Sequence, residues 1–262
     1  MTSHRLPAGG RIDRERTVRF TFDGKAYAGF AGDTLASALL ANGVRLFGRS
    51  FKYHRPRGVL SAGYEEPNAL VTVTTDGARE PNIRATEIEI YDGLTVESQN
   101  RFPSLAFDLM SANRFAGKAF SAGFYYKTFM GPRFGPLKGT RFWMFCEGFI
   151  RRAAGLGSAG TVADPHRYER MNAFCDVLVV GSGPSGLEAA RKAAADGKRV
   201  ILCETDAVFG GSANWSGVEA AIVADAALSE LRDKPNVRLL PRTTVWGYYD
   251  GNTLAALERV AD

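Results

Sequence analysis

Polar and apolar residues alternate from Thr17 to Phe22 and set Val18, Phe20 and Phe22 on one side, as a half-buried strand requires. Asp23-Gly24 is a hairpin turn signal, and Lys25 to Phe30 is the expected returning strand. Gly32-Asp33-Thr34 then opens a helix with Asp33 or Thr34 as N-cap, Leu35, Leu39 and Leu40 as its apolar face and Gly43 as its stop. Leu70 to Thr75 and Thr86 to Ile90 read as further strands. The periodicity is lost from about Arg101 to Met171, where Pro132, Pro136 and Pro165 interrupt a stretch rich in Phe, Tyr, Gly and Arg. An irregular connector is expected there, packed rather than free, because Phe124, Tyr125, Tyr126, Trp143 and Phe145 call for burial. Gly155 to Gly160 is its most flexible point and a candidate boundary.

A different rhythm begins at Asp176. Asp176 to Val180 is a continuous apolar run, the mark of a strand buried on both faces. Helical sequence follows over Leu187 to Ala195, ended by Gly197, and Arg199 to Cys203 is a second buried strand. Val218 to Leu231 reads as a second helix and Val237 to Leu240 as a third strand. Thr243 to Tyr249 and Thr253 to Val260 form a hairpin across Asp250-Gly251-Asn252. The chain stops before a fourth parallel strand, so an edge is left that a complete domain would cover, and the sequence reads as the front part of a longer polypeptide.

The fold class is therefore mixed α/β. A hairpin, a helix across it, a long loop and more strands resemble the β-grasp of ferredoxins over residues 1–100. An irregular connector is expected over 101–171, and the first part of a Rossmann-like dinucleotide-binding domain, cut short, over 172–262. At 262 residues, 45% hydrophobic and 23% charged, the chain has room for about two globular domains. No stretch approaches the roughly 20 apolar residues of a membrane span, and the N-terminus lacks a secretory apolar core. Cys146, Cys175 and Cys203 fit neither a disulfide framework nor a zinc site, and a cytoplasmic compartment is the default expectation. The net charge of +5 comes mostly from arginine, and Arg45, Arg49, Lys52, His54, Arg55 and Arg57 form the densest basic run, interleaved with Phe47, Phe51 and Tyr53. No nucleic-acid motif accompanies this run, so a solvated or subunit-facing loop is expected and no nucleic-acid partner.

The chemistry lies in Gly181-Ser182-Gly183-Pro184-Ser185-Gly186, which joins the first apolar strand to its helix. Gly181 permits the tight turn and Gly183 leaves room for a pyrophosphate on the helix N-terminus. Gly186, with the small Ala189 and Ala190, lets the helix approach the sheet. Glu204 closes the second strand, where an acid accepts hydrogen bonds from a ribose 2′-OH and repels a 2′-phosphate, so NAD is expected over NADP. Phe209-Gly210-Gly211 resembles the second glycine loop of two-dinucleotide-domain flavoproteins.

Plant-type [2Fe–2S] ferredoxins place cysteines as C-x4-C-x2-C on one loop. In the β-grasp reading that loop follows Arg57-Gly58, and the spacing lands on Ser61, Glu66 and Ala69. No cysteine occurs before Cys146, so the scaffold is expected without its metal.

Ser50 to Gly58 (SFKYHRPRG) and Glu65 to Val71 (EEPNALV) resemble the α subunit of heterotetrameric sarcosine oxidase near its N-terminus. Val96 to Pro103, Phe124 to Met130 and Arg242 to Tyr249 extend the resemblance along nearly the whole chain. Relatives such as hydrogen cyanide synthase and dye-linked proline dehydrogenase subunits carry cluster cysteines in the loop where this chain has none. The resemblance implies part of a complex that demethylates sarcosine oxidatively to glycine, hydrogen peroxide and formaldehyde, the last captured by tetrahydrofolate. It implies β, γ and δ partner subunits, FAD on the β subunit and a covalent FMN at the α–β boundary. Folate binding belongs to a C-terminal half that is absent here. NAD would be held by Gly181, Gly183, Gly186 and Glu204. No catalytic residue is expected in this chain: His4, His54 and His166 read as surface or interface residues. A related amine or amino-acid dehydrogenase subunit, an electron-transfer module and a purely structural subunit are the alternatives.

Overall fold

The computed structural model describes residues 4–116, 135, 140–153, 162–164 and 166–260. They fall into two compact units, Met1–His166 and Arg167–Asp262.

In the first unit β1 (Asp13–Phe22) folds back onto β2 (Lys25–Ala31) through Asp23 and Gly24, both at positive φ (50° and 75°). That left-handed pair is what a two-residue hairpin turn needs to match the strand twist. Helix α1 (Leu35–Ala41) is N-capped by Thr34, whose side chain accepts a hydrogen bond from Ser37 N at 3.2 Å. It ends at Gly43, whose N–H donates to Leu40 O (2.9 Å) while Val44 N donates to Leu39 O (2.9 Å), a Schellman closure. The buried face is Leu35, Ala36, Ala38 and Leu39, with Leu40 turned outward. Two-residue strands β3 (Gly48–Arg49) and β4 (Pro56–Arg57) pair with each other beyond the helix. Strands β5 (Leu70–Thr75), β6 (Ala78–Arg84) and β7 (Thr95–Ser98) complete a five-stranded sheet in the order β2-β1-β7-β5-β6, with β7 parallel to β1 and antiparallel to β5. Phe20, Leu35, Leu39, Phe47, Val71, Leu94 and Val96 form the centre of its core.

One sequence expectation fails here, and one strand escapes the sequence reading. Thr86–Ile90 is no strand: a turn occupies Ala85–Glu87, and only Glu89 forms a bridge, to Thr34. Ile88 and Ile90 are buried all the same, so the alternation reported burial and not sheet pairing. On the side away from β7, β5 pairs with β6, a strand disguised by Pro81. Proline is tolerated there because β6 is the edge strand, and the register shift between Val71 and Val73 marks a bulge opposite Pro81 and Asn82.

The stretch expected to be irregular contains helix α2 (Thr140–Ala153). Its Phe145 is 57% exposed and meets Phe149 edge-on at 5.3 Å, while Trp143 is half-buried. Phe124, Tyr125, Tyr126, Pro132, Pro136, Pro165 and Gly155 to Gly160 lie outside the described residues.

The second unit alternates β8 (Val177–Val180), α3 (Pro184–Ala195), β9 (Val200–Cys203), α4 (Val218–Arg232) and β10 (Val237–Leu240). The three strands are parallel in the order β10-β9-β8. All four residues of β9 are buried, as a central strand requires. Among the described residues β8 is at the edge, and Val180 is 58% exposed, so burial on both faces does not hold for it. Ala190 and Ala194 pack α3 into the core with Leu187, whereas Ala189 faces outward and does not help the helix approach the sheet. A hairpin of β11 (Thr243–Tyr249) and β12 (Thr253–Glu258) follows, as the sequence predicts.

Candidate dinucleotide site

The site is built where β8 gives way to α3. Gly181 adopts φ +90°, open only to glycine at low strain, and its N–H donates to Cys203 O at 2.8 Å. Gly183 is the N-cap of α3, with Pro184 at the first helical position, and no side chain caps the helix start. Its first-turn N–H groups therefore lack intrahelical acceptors and present a partial positive charge. A Cβ on Gly183 would meet nothing within 4 Å, so that face of the loop is open. A Cβ on Gly186 would lie 2.0 Å from Gly181 O, which makes glycine obligatory for the helix to start against the strand. Pro184 and Ser185 are exposed on the first turn.

The second glycine loop lies against the first. Gly210 and Gly211 have φ of 122° and 51°, and a Cβ on Gly211 would stand 2.8 Å from Gly183 Cα. Asn214, just after this loop, keeps its side-chain Oδ1 buried with no hydrogen-bond partner among the described residues.

Ser182 and Glu204 join the two loops. Ser182 is fully buried; its Oγ accepts from Gly210 N at 2.9 Å and donates to Glu204 Oε2, and its own N–H donates to the same oxygen at 2.8 Å. Glu204 Oε1 accepts from Asp206 N at 3.1 Å. The acid is 6% exposed, and its backbone is held at the end of β9 by Leu240 O and Thr243 N. A carboxylate has about four acceptor positions; three are filled, which leaves one on Oε1. The structure thus gathers Gly181, Ser182, Gly183, Gly186, Glu204, Gly210 and Gly211, all singled out in the sequence. It adds the hydroxyl bridge of Ser182, for which the only sequence signal is a polar residue between two glycines. Cys203, next to the acid, is held as a thiol because burial pushes its pKa up to about 11. At the opposite end of β8, hydrogen bonds from Arg199 hold the Asp176 carboxyl well below the usual carboxylate range and tie the starts of β8 and β9 together.

The first unit bears on several other expectations. His54 is no surface residue: it is 5% exposed, and its Nδ1 lies 2.8 Å from the buried Asp108 Oδ2. Arg49 donates to Leu105 O and to His54 O, and Phe47 is in the core, so the basic run is only partly solvated. His166 is exposed beside Asp164 at 2.7 Å. At the ferredoxin-loop positions, Ser61 supplies a hydroxyl, Ala69 no donor and Glu66 a carboxylate already bonded to main-chain amides. That set does not fit an iron–sulfur cluster, which is held by thiolates.

The sequence is 54% identical over 99% of its length to the sarcosine oxidase subunit alpha of Rhizobium meliloti (strain 1021). The chain is homologous to sarcosine oxidase α subunits. The same subunit from Corynebacterium sp. (strain U-96) is 35% identical over 96% of the chain. The chain spans about a quarter of the length of these curated relatives, 26% and 22% respectively. The model of a 2Fe-2S iron-sulfur cluster binding domain matches residues 15–101, and that of an FAD dependent oxidoreductase matches residues 176–243. The crystal structure of L-proline dehydrogenase from P. horikoshii matches 93% of the chain and 37% of its own, with TM-score 0.53 and 19% identity, a likeness of fold. A ferredoxin-like domain followed by an FAD-oxidoreductase-type region is thus the architecture. No helix among the described residues is long and apolar enough to cross a membrane.

Proposed function

We propose that the second unit binds an adenine dinucleotide, NAD in preference to NADP, as the N-terminal portion of an oxidoreductase subunit of sarcosine oxidase type. The observation that carries the reading is the open face of Gly183 at the uncapped start of α3, with Glu204 bonded into the same loop. Gly181, Ser182, Gly183, Pro184, Ser185 and Gly186 would hold the pyrophosphate by main-chain N–H groups and the helix dipole. Gly210 and Gly211 would line the groove beside it. The remaining acceptor position on Glu204 Oε1 suits one ribose hydroxyl, while a 2′-phosphate would meet a buried carboxylate. NAD, when bound, would supply a hydride-accepting ring; this chain's residues would orient its ADP half.

The wider role rests on the homology. The chain would belong to a complex with β, γ and δ subunits that demethylates sarcosine, with FAD and FMN placed mainly through the β subunit and formaldehyde passed to tetrahydrofolate. Flavin chemistry needs a placed ring and a substrate pocket, so the 262-residue chain alone should release no peroxide or formaldehyde from sarcosine. FAD in the same glycine loops is the second reading. It is favoured by the family match over residues 176–243, since FAD carries the same ADP half.

Calorimetric titration of the chain with NAD, NADP and FAD tests this. NAD is expected to bind most tightly, and Glu204→Ala should weaken it by about 1–3 kcal/mol through a lost charge-assisted hydrogen bond. Equal affinity for NAD and NADP would refute the role of Glu204, and tighter binding of FAD would transfer the site to the second reading.

A further inference from the structure

We propose that Leu60 to Ala69 is an anion-binding loop whose anion is supplied by its own Glu66 carboxylate, standing where the matching family holds a [2Fe–2S] cluster. Glu66 is fully buried. Its Oε2 accepts the N–H groups of Leu60 (2.6 Å) and Ser61 (2.8 Å), and its Oε1 those of Asn68 (2.6 Å) and Ala69 (2.9 Å). The four donors come from the two ends of the loop, so one side chain closes the whole turn of chain. All four acceptor positions of the carboxylate are filled.

No cation touches that carboxylate in these bonds. Arg84 Nε donates to the Glu66 main-chain oxygen at 3.1 Å and pairs through Nη1 with Glu87 at 3.1 Å. The charge is therefore balanced by amide dipoles, the same device by which successive N–H groups cradle anions elsewhere. Burial pushes the Glu66 carboxyl up, and the amides of Ser61, Asn68, Leu60 and Ala69 outweigh it, so its pKa lies below the ordinary value. Thr86 Oγ1 donates to Gly63 O (2.7 Å) and Ala85 N to Ala69 O (2.8 Å), fastening the loop to the turn after β6. A cluster loop that loses its metal would leave inward-pointing amides without acceptors. A carboxylate at the second position of the cysteine spacing answers four of them. The ligand class of the loop is thus a small carboxylate, and iron is excluded by the donors present.

Chemical rescue in the full chain tests the proposal. Glu66→Ala removes a fragment the size of acetate and should lower the first unit's unfolding midpoint by more than about 10 °C, with faster amide exchange over residues 60–69. Acetate should recover at least half of both effects, whereas chloride at equal ionic strength and acetamide should not. Glu66→Gln fills the space without a charge and should stay destabilised whatever the acetate concentration. If Glu66→Ala cannot be purified, Glu66→Gln decides alone: a midpoint within about 2 °C of the unsubstituted chain, with unchanged exchange, overturns the proposal. Rescue by acetate no better than by chloride overturns it too. So does stoichiometric iron in the unsubstituted chain after reconstitution with iron and sulfide.

Discussion

Glu66 in the first unit and Glu204 in the second are both buried carboxylates that gather donors from a loop, yet they leave those loops in different states. Glu66 takes four main-chain N–H groups and has no acceptor position left. Glu204 takes one main-chain N–H and one hydroxyl from Ser182 and a second N–H from Asp206, and keeps a position free. The first loop is closed upon its own anion. The second is shaped by glycine contacts, with Gly183 left open and no side chain capping its helix N-terminus. The same residue type serves as an internal plug in one place and as part of a binding surface in the other. What separates them is whether the surrounding amides converge on the carboxylate or point past it.

The largest effect should come from Gly186→Ala. Its Cβ would fall 2.0 Å from Gly181 O, a main-chain atom that cannot swing aside. We expect the second unit to lose at least about 3 kcal/mol in urea unfolding, the cost of forced overpacking. Little loss would show that the glycine contact does not shape that loop.

Next in size is Glu66→Gln, expected to cost about 2–3 kcal/mol at neutral pH by facing two buried amides with an NH2 group. Its pH dependence sharpens the contrast. The folded-state carboxyl is depressed, so its contribution is complete above the ordinary carboxylate pKa and lost as pH falls through the lowered value. Unfolding of the two chains measured from pH 7 towards pH 3 should therefore converge in acid. A gap that stays constant would mean that the charge of Glu66 is not what holds the loop.

Ser182→Ala should cost about 1–2 kcal/mol by leaving Gly210 N–H and one Glu204 oxygen short of a partner. NAD affinity should fall a few-fold at the same time, because the acid loses its tether to the glycine loop. A stability loss with unchanged affinity would confine Ser182 to a structural role.

Gly183→Ala should change stability least, by under about 1 kcal/mol, since its φ of −59° suits alanine and its Cβ would meet nothing. Dinucleotide binding should nonetheless weaken at least tenfold, the added methyl standing where the pyrophosphate would lie. Equal binding by both chains would place the ligand elsewhere.

Much of the second unit is legible in its sequence because its determinants are local. A run of apolar residues, a glycine with positive φ and a helix ended by Gly197 act within a few positions of one another. The boundaries of β10 and β11 follow from that pattern, and so does the first hairpin at Asp23-Gly24. The first unit is legible only in part. Pro81 concealed an edge strand, and Ile88 and Ile90 imitated one, since alternation reports which side chains are buried and not which backbone pairs.

The sequence by itself determined that an acid ends β9, that three glycines open α3, and that the ferredoxin-type loop has no cysteine to hold iron. The tertiary structure alone decided that Ser182 ties Glu204 to Gly210, that His54 turns inward to Asp108, and that Glu66 fills its own loop. A buried polar side chain takes its role from the donors that the fold converges on it. For His54 and Asp108 those groups are 54 residues apart, a distance over which no hydrophobic period or local motif carries information.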